Sequence, residues 1–204
     1  MEALLQLGVG FSIGLSGAMI QGPLFFYTVA EVLRRNQRVS LEIVLGHVLL
    51  EALFIALIFF GLGSFLTSKS FVSVLSMIGG IALIAMGVLL ISKSREMKLS
   101  LNDGVSFRYG AILGGAFFSL VSPGFLIWWA TIGVSLLLNA ILTGLIAAVC
   151  FVMGHWAADL LWYWFVAFSV ERGKYYLNEQ AYHGTVRVLA LLLIWIGIYF
   201  TFGA

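Results

Sequence analysis

The chain has 204 residues, of which 62% are hydrophobic and only 10% are charged, and its formal net charge is +2. Soluble domains average about 45–50% apolar and about 25% charged residues, so the composition predicts one integral membrane domain spanning residues 1–204 rather than a soluble fold. The single cysteine, Cys150, excludes an internal disulfide or a CxxC redox pair. No basic stripe with interleaved aromatic residues is present, which argues against nucleic-acid binding.

Six segments are long and apolar enough to cross a bilayer, since a spanning helix needs about 20 mostly apolar residues. In chain order, the predicted spans are helix 1 at 3–32, helix 2 at 41–66, helix 3 at 71–92, helix 4 at 108–138, helix 5 at 141–170 and helix 6 at 185–203. The predicted fold is therefore an all-α membrane protein with six transmembrane helices.

The basic residues predict the orientation of these helices. Ten of the eleven Lys and Arg residues fall on one side of a six-span arrangement, Lys69 being the exception. The ten are Arg34, Arg35, Arg38, Lys93, Arg95, Lys98, Arg108, Arg172, Lys174 and Arg187. Basic loops stay in the cytoplasm, so we expect a multi-pass protein of the cytoplasmic (inner) membrane with both termini outside.

The chain also reads as two related halves, 1–92 and 108–204, joined by a polar loop at 93–107. The recurring features are GxxxG at Gly10/Gly14 and again at Gly110/Gly114, the only two prolines at Pro23 and Pro123, and GHVLLE at 46–51 matched by GHWAAD at 154–159. Each half has three spans, an odd number, so the second half enters the membrane inverted. Inverted 3+3 repeats are typical of secondary transporters, which bind substrate between the repeats near the bilayer midplane.

Helices 1 and 4 are predicted to be broken by Gln21-Gly22-Pro23 and by Ser122-Pro123-Gly124, because proline and glycine interrupt a helix. A half-helix that begins at such a proline offers free amides and a partial positive charge. These six residues are therefore candidate binding groups for a substrate carboxylate. The alternative is a packing kink, since both residue types are common in spanning helices; their recurrence in both halves favours binding. The aromatic pair Trp128-Trp129 follows the second break and could wall a substrate path.

Two intramembrane carboxylates, Glu51 and Asp159, each follow a histidine by four residues, His47 and His155, and so share a helix face with it. A charged group at this depth costs at least about 2.5–3.5 kcal/mol to insert. Both acids are candidate partners for a substrate ammonium, and all four residues are candidate proton carriers. The alternative is that each His and acid only satisfy each other between packed helices.

Two other functions remain open from the residues alone. Paired His and carboxylate ligands on His47, Glu51, His155 and Asp159 could hold a divalent metal ion, making the protein a metal exporter. A non-transporting membrane scaffold is the second alternative, although it would gain nothing from two buried acids. No exposed nucleophile–base pair points to an enzyme, and no cofactor is indicated. The GxxxG motifs suggest close helix packing, within one chain or in a homodimer.

The residues resemble the lysine exporter family of amino-acid exporters over nearly the whole chain. Gln21-Gly22-Pro23 stands at the family's Pro-Gly-Pro position, the basic segment 34–38 matches its cytoplasmic turn, and Ser122-Pro123 stands at its Asn-Pro position. Asp159 matches an acid in helix 5, whereas Glu51 and the two histidines are not part of the family pattern. The resemblance implies an exporter of a small amino acid or similar zwitterion. The two intramembrane acids predict protons as the coupling ion.

Overall fold

The computed structural model describes residues 1–62, 65, 68–93 and 110–202, and every regular element in this part of the chain is helical. The helices are α1 (Glu2–Ala18), α2 (Pro23–Arg34), α3 (Val39–Leu57, continued by a π-helical turn at Ile58–Leu62), α4 (Lys69–Lys93), α5 (Gly110–Leu120), α6 (Pro123–Thr143, with a π-helical turn at Trp129–Gly133), α7 (Leu145–Lys174) and α8 (Glu179–Phe202).

Five of these helices, α3, α4, α6, α7 and α8, are long and apolar enough to cross a membrane. A sixth span is obtained when α1 and α2 are taken together, because they form one apolar segment bent by 76°. Helix α5 is apolar but has only 11 residues. The protein is thus an all-helical membrane protein with five to six candidate spans.

The breaks predicted in helices 1 and 4 are present at the prolines. Pro23 is the first residue of α2 after an extended Gly22, and Pro123 is the first residue of α6 after an extended Ser122. The first helical position suits proline because its missing N–H would have no intrahelical partner there. Each break therefore exposes a helix start inside an otherwise apolar segment.

Several predicted boundaries were wrong by a few residues. Helix 5 begins at Leu145 rather than 141, because Gly144 has φ 139°, a left-handed conformation that favours glycine and ends α6. Helix 6 begins at Glu179 rather than 185, and Asn178 accepts a hydrogen bond from the Ala181 amide at its start. Apolar patterning finds the lipid-facing part of a helix and misses its polar first turn. The predicted loop at 93–107 lies, apart from Lys93, outside the described residues, as do Arg95, Lys98 and Arg108.

The strongest helix pairs join the two halves of the chain: α1 packs on α7, α5 on α3, and α4 on α8. Glycines permit the first two contacts. A Cβ on Gly10 would overlap the carbonyl oxygen of Phe151, and a Cβ on Gly154 would overlap that of Leu7. The GxxxG motif at Gly10 therefore serves close packing inside one chain, as one of its two interpretations predicted.

The second pair, α3 with α5, repeats this arrangement. A Cβ on Gly46 would overlap the carbonyl oxygen of Ile112, and a Cβ on Gly115 would overlap that of Ile43. Gly46 precedes His47 just as Gly154 precedes His155. Each histidine-bearing helix is thus held against the first helix of the other half by backbone contact.

These contacts match the two halves of the chain at a second offset. By packing partner, Gly10 corresponds to Gly115, an offset of 105, and not to Gly110 as the sequence motif suggested. The same offset matches Gly14 with Ser119. The two prolines, each the first residue of a helix, keep the offset of 100 that the sequence motif gave.

Candidate functional site

A pocket of about 510 Å³, including its open mouth, lies between the two helix breaks. Its walls come from both halves of the chain: the end of α1, the starts of α2 and α6, and the inner faces of α3, α5 and α7. The lining residues are Gly17, Ala18, Ile20, Gly22, Leu24, His47, Glu51, Ser119, Ser122, Gly124, Phe125, Trp128, Trp129, His155, Asp159 and Tyr163.

Four buried side chains meet at one wall of this pocket, and we refer to His47, Glu51, His155 and Asp159 as the His–carboxylate cluster. His47 Nε2 lies 3.5 Å from Glu51 Oε1 and 3.7 Å from Asp159 Oδ2. His155 Nε2 lies 3.0 Å from the same Glu51 oxygen and 3.5 Å from the same Asp159 oxygen. Each imidazole thus faces both carboxylates, one from its own half and one from the other.

The orientation of the His47 imidazole is set by Ser119. The Ser119 hydroxyl donates its one hydrogen to the Gly115 carbonyl at 2.6 Å, and its oxygen lies 2.8 Å from His47 Nδ1. A hydroxyl that has already donated can only accept here, so His47 Nδ1 carries the hydrogen. His47 therefore presents Nε2 to the two carboxylates in a fixed orientation.

The corresponding contact is absent from His155. Its Nδ1 has no hydrogen-bond partner among the described residues, and Gly14, the packing counterpart of Ser119, lies against it. Instead, the His155 imidazole stacks on Trp128, with centroids 4.7 Å apart and planes 25° from parallel. The Nδ1 side of His47 is held by a hydrogen bond, whereas the ring of His155 is held by stacking on Trp128, so the two halves differ at the site.

The two carboxylates of the cluster also differ in their hydrogen bonds. Glu51 Oε1 accepts a hydrogen bond from Trp129 Nε1 at 3.0 Å in addition to the one with His155. Glu51 Oε2 and Asp159 Oδ2 are buried and form no hydrogen bond with the described residues. Buried acceptors normally have partners, so these two oxygens are available to a ligand.

Most of the predicted site residues line this one pocket. Gly22, Ser122 and Gly124 do so at the breaks, together with all four cluster residues. Gln21 is exposed and is not among the lining residues, and Pro23 and Pro123 lie at the helix starts behind the wall. These three residues lie next to Gly22, Ser122 and Gly124, which line the pocket.

Ser119 and Tyr163 line the pocket but were not predicted from the sequence. Tyr163 is buried and lies four residues after Asp159 on the same face of α7, so helical spacing could have found it. No pattern singles out Ser119, because its role depends on the contact between α3 and α5. The Trp128-Trp129 pair lies in the wall, as the sequence suggested.

A second polar cluster lies at the end of α2. The buried Lys174 side chain, at the end of α7, has its Nζ 3.2 Å from the Arg35 carbonyl oxygen and 3.4 Å from that of Val32. The hydroxyl of Tyr182, on α8, donates to the Leu33 carbonyl at 3.0 Å. Side chains from α7 and α8 thus bind the carbonyl groups that α2 leaves free at its C-terminus.

Comparison with known proteins identifies the family. The family model described as LysE type translocator matches residues 15–203. The chain belongs to the LysE type translocator family. Members of this family are transporters and not enzymes, so the translocator is a multi-pass membrane protein that exports amino acids or related metabolites. No curated protein and no solved structure matched the chain.

Proposed function

We propose that this translocator exports a small amino acid or a similar zwitterion across the cytoplasmic membrane in exchange for inward-moving protons. The observation that carries the proposal is the pocket itself, which places two helix starts and two carboxylates around one space. A zwitterion has one anionic and one cationic group, and the pocket offers a complementary partner for each.

The substrate carboxylate binds at the two breaks in this proposal. Gly22 and Ser122–Gly124 lie at the starts of α2 and α6, where first-turn amides and the helix dipole favour an anion. At α6 the Ser122 hydroxyl accepts a hydrogen bond from the Phe125 amide at 3.5 Å, which an anion would have to share or replace. Among the described residues that line the pocket there is no Lys or Arg to compete for this role. The pocket also has an apolar wall, against which a small side chain of the substrate can pack. This wall is formed by the aromatic residues Phe125, Trp128 and Trp129.

The substrate ammonium binds at Glu51 or Asp159, and the same acids exchange protons. Glu51 Oε2 and Asp159 Oδ2, which form no hydrogen bond with the described residues, are the acceptors available for an ammonium group. His47 and His155 contact both acids, so a proton can pass within the cluster without crossing lipid. Ammonium and proton thus compete for the same oxygens, which is the requirement for obligatory exchange.

Alternating access follows from the proposed domain organisation: one domain, 1–204, built from inverted repeats 1–92 and 108–204. The reciprocal packing of α1 on α7 and of α5 on α3 supports this arrangement, since exchanging the two halves maps one pair onto the other. Rocking of one repeat against the other would expose the pocket to each side in turn.

The proposed orientation has the basic helix ends in the cytoplasm and both termini outside. Lys174 contacts the last carbonyls of α2, so the basic ends of α2 and α7 lie on the same side. Arg34 and Arg172 lie in the last turns of these helices. This grouping supports the assignment of that side to the cytoplasm.

The experiment is counterflow of amino acids in proteoliposomes under an imposed pH gradient. We expect Asp159→Asn and Glu51→Gln each to abolish pH-driven flux, while Glu42→Gln, a change to an acid on α3 away from the pocket, leaves it intact. Coupled flux that is unchanged in Asp159→Asn would remove Asp159 from the mechanism. Loss of flux in all three variants would indicate a general folding defect instead.

The other functions considered have less support. Family membership does not favour the metal-exporter alternative over amino-acid export, and a non-transporting scaffold does not fit a family of transporters. The homodimer suggested by GxxxG gains nothing from Gly10 and Gly14, because both face α7 within the same chain.

A further inference from the structure

We propose that the His–carboxylate cluster is a binding site for one divalent first-row transition-metal ion, held by His47 Nε2, His155 Nε2, Glu51 Oε1 and Asp159 Oδ2. This inference goes beyond amino-acid export, and it concerns binding of the ion whether or not the ion is transported.

The first argument is the spacing of the four donor atoms. In a tetrahedral zinc site with bonds of about 2.0–2.1 Å, neighbouring ligand atoms are about 3.3–3.5 Å apart. The four His–carboxylate separations in the cluster are 3.5, 3.7, 3.0 and 3.5 Å. Ligand atoms of His47, Glu51 and Asp159 also lie within 4.8 Å of one another. His155 lies outside this group of three and joins the cluster through its contacts with the two carboxylates, so an ion held by all four residues would draw the two imidazoles toward each other.

The second argument is the type of donor. Two imidazole nitrogens and two carboxylate oxygens suit zinc and its neighbours in the first transition row, whereas calcium and magnesium prefer sites made only of oxygen. The donors come from α3 and α7 in pairs four residues apart, which keeps both ligands of each pair on one helix face.

The third argument is the support behind the ligands. A metal-bound histidine usually donates its other ring N–H to a nearby acceptor, which fixes the ring. His47 does so, because its Nδ1–H is held by Ser119 and its Nε2 is left to bind. Asp159 Oδ2 is buried and has no hydrogen-bond partner among the described residues, so it can bind an ion without giving up a hydrogen bond.

The fourth argument is charge. Two ionised carboxylates carry −2, which one divalent ion would neutralise. The ion would thus avoid the cost of an uncompensated charge in a low-dielectric interior.

The test is titration of the purified, tag-free full chain in detergent with Co²⁺, followed by its visible d–d absorption, and with Zn²⁺ by calorimetry. We expect one ion per chain and a tetrahedral cobalt spectrum. Binding should be lost in His47→Gln and in His155→Gln but retained in His183→Ala, which changes the third histidine of the chain. Ser119→Ala should weaken affinity by about tenfold, as loss of a ligand's outer partner does elsewhere.

Two outcomes would overturn the proposal. One is binding that persists in the His47→Gln/His155→Gln double variant, which would mean an adventitious surface ion only. The other is the absence of saturable binding in a wild-type preparation that still transports amino acids. Because binding and flux are measured separately, failure of this inference is distinguishable from failure of the proposed exporter function. Circular dichroism and melting curves of each variant show whether a loss of binding reflects unfolding.

Discussion

The Nε2 atom of His155 lies 3.0 Å from Oε1 of Glu51, a residue 104 positions earlier in the chain. This cross-half contact is shorter than either contact within a half, which are 3.5 Å for His47–Glu51 and 3.5 Å for His155–Asp159. The sequence motif therefore joins residues that share a helix face, but the closest pairing is made between helices. Any movement that separates α3 from α7 must break it.

Removing the Trp129 N–H should weaken the fold and the site together. Trp129→Phe keeps an aromatic side chain but removes the hydrogen bond to Glu51 Oε1, and hydrogen bonds to charged groups are worth about 1.5–3 kcal/mol. We expect a lower melting temperature in detergent and reduced flux. Trp156→Phe is the control, because Trp156 Nε1 has no partner among the described residues. Equal destabilisation by both variants would show that lost volume, and not the hydrogen bond, is responsible.

Ser119→Ala should leave the His47 Nδ1–H without an acceptor. An unsatisfied buried donor costs about 1–3 kcal/mol, and the imidazole becomes free to rotate, so we expect lower stability and an altered pH profile of transport. Ser76→Ala is the matched control: Ser76 is also buried and bonds a carbonyl four residues back, but it contacts no described imidazole. A wild-type pH profile in Ser119→Ala would contradict a role in orienting His47.

Gly46→Ala and Gly154→Ala should force the packed helices apart. The new methyl groups would overlap the carbonyl oxygens of Ile112 and Leu7, and overpacking of this kind costs about 1–3 kcal/mol or more. Gly184→Ala should have the opposite effect, since its Cβ would meet nothing within 4 Å and alanine stabilises a helix by about 0.5–1 kcal/mol relative to glycine. We expect the melting temperature to fall for Gly46→Ala and Gly154→Ala and to stay the same or rise for Gly184→Ala. An equal change in all three variants would contradict the packing argument.

Tyr182→Phe should loosen the end of α2. The Tyr182 hydroxyl is buried and donates to the Leu33 carbonyl, so its loss should cost about 0.5–1.5 kcal/mol. Tyr176→Phe removes a hydroxyl from a side chain that is 89% exposed and should change nothing. Hydrogen exchange localised to residues 31–35 would report the effect directly, and exchange that stays at the wild-type rate there would argue against an anchoring role.

The sequence predicts the features of this fold that depend on local properties of the chain, and it misses those that depend on contacts between helices. Apolar length located the spans, and proline located both breaks, because each reflects a local property of the backbone. The four residues of the His–carboxylate cluster were also predictable. An ionisable side chain inside a membrane span costs free energy to insert, so each acid four residues after a histidine indicates a functional site. Ser119 was not, because its relation to His47 arises only when α5 lies against α3. The same holds for the matching of Gly10 with Gly115, which is defined by a packing partner and not by a motif.

The glycine contacts have a consequence for biogenesis. Gly46 on α3 finds its packing partner on α5, which the ribosome makes more than 60 residues later. During synthesis, the close packing of α3 can therefore form only after α5 has been made, so the binding pocket is completed by the second half of the chain.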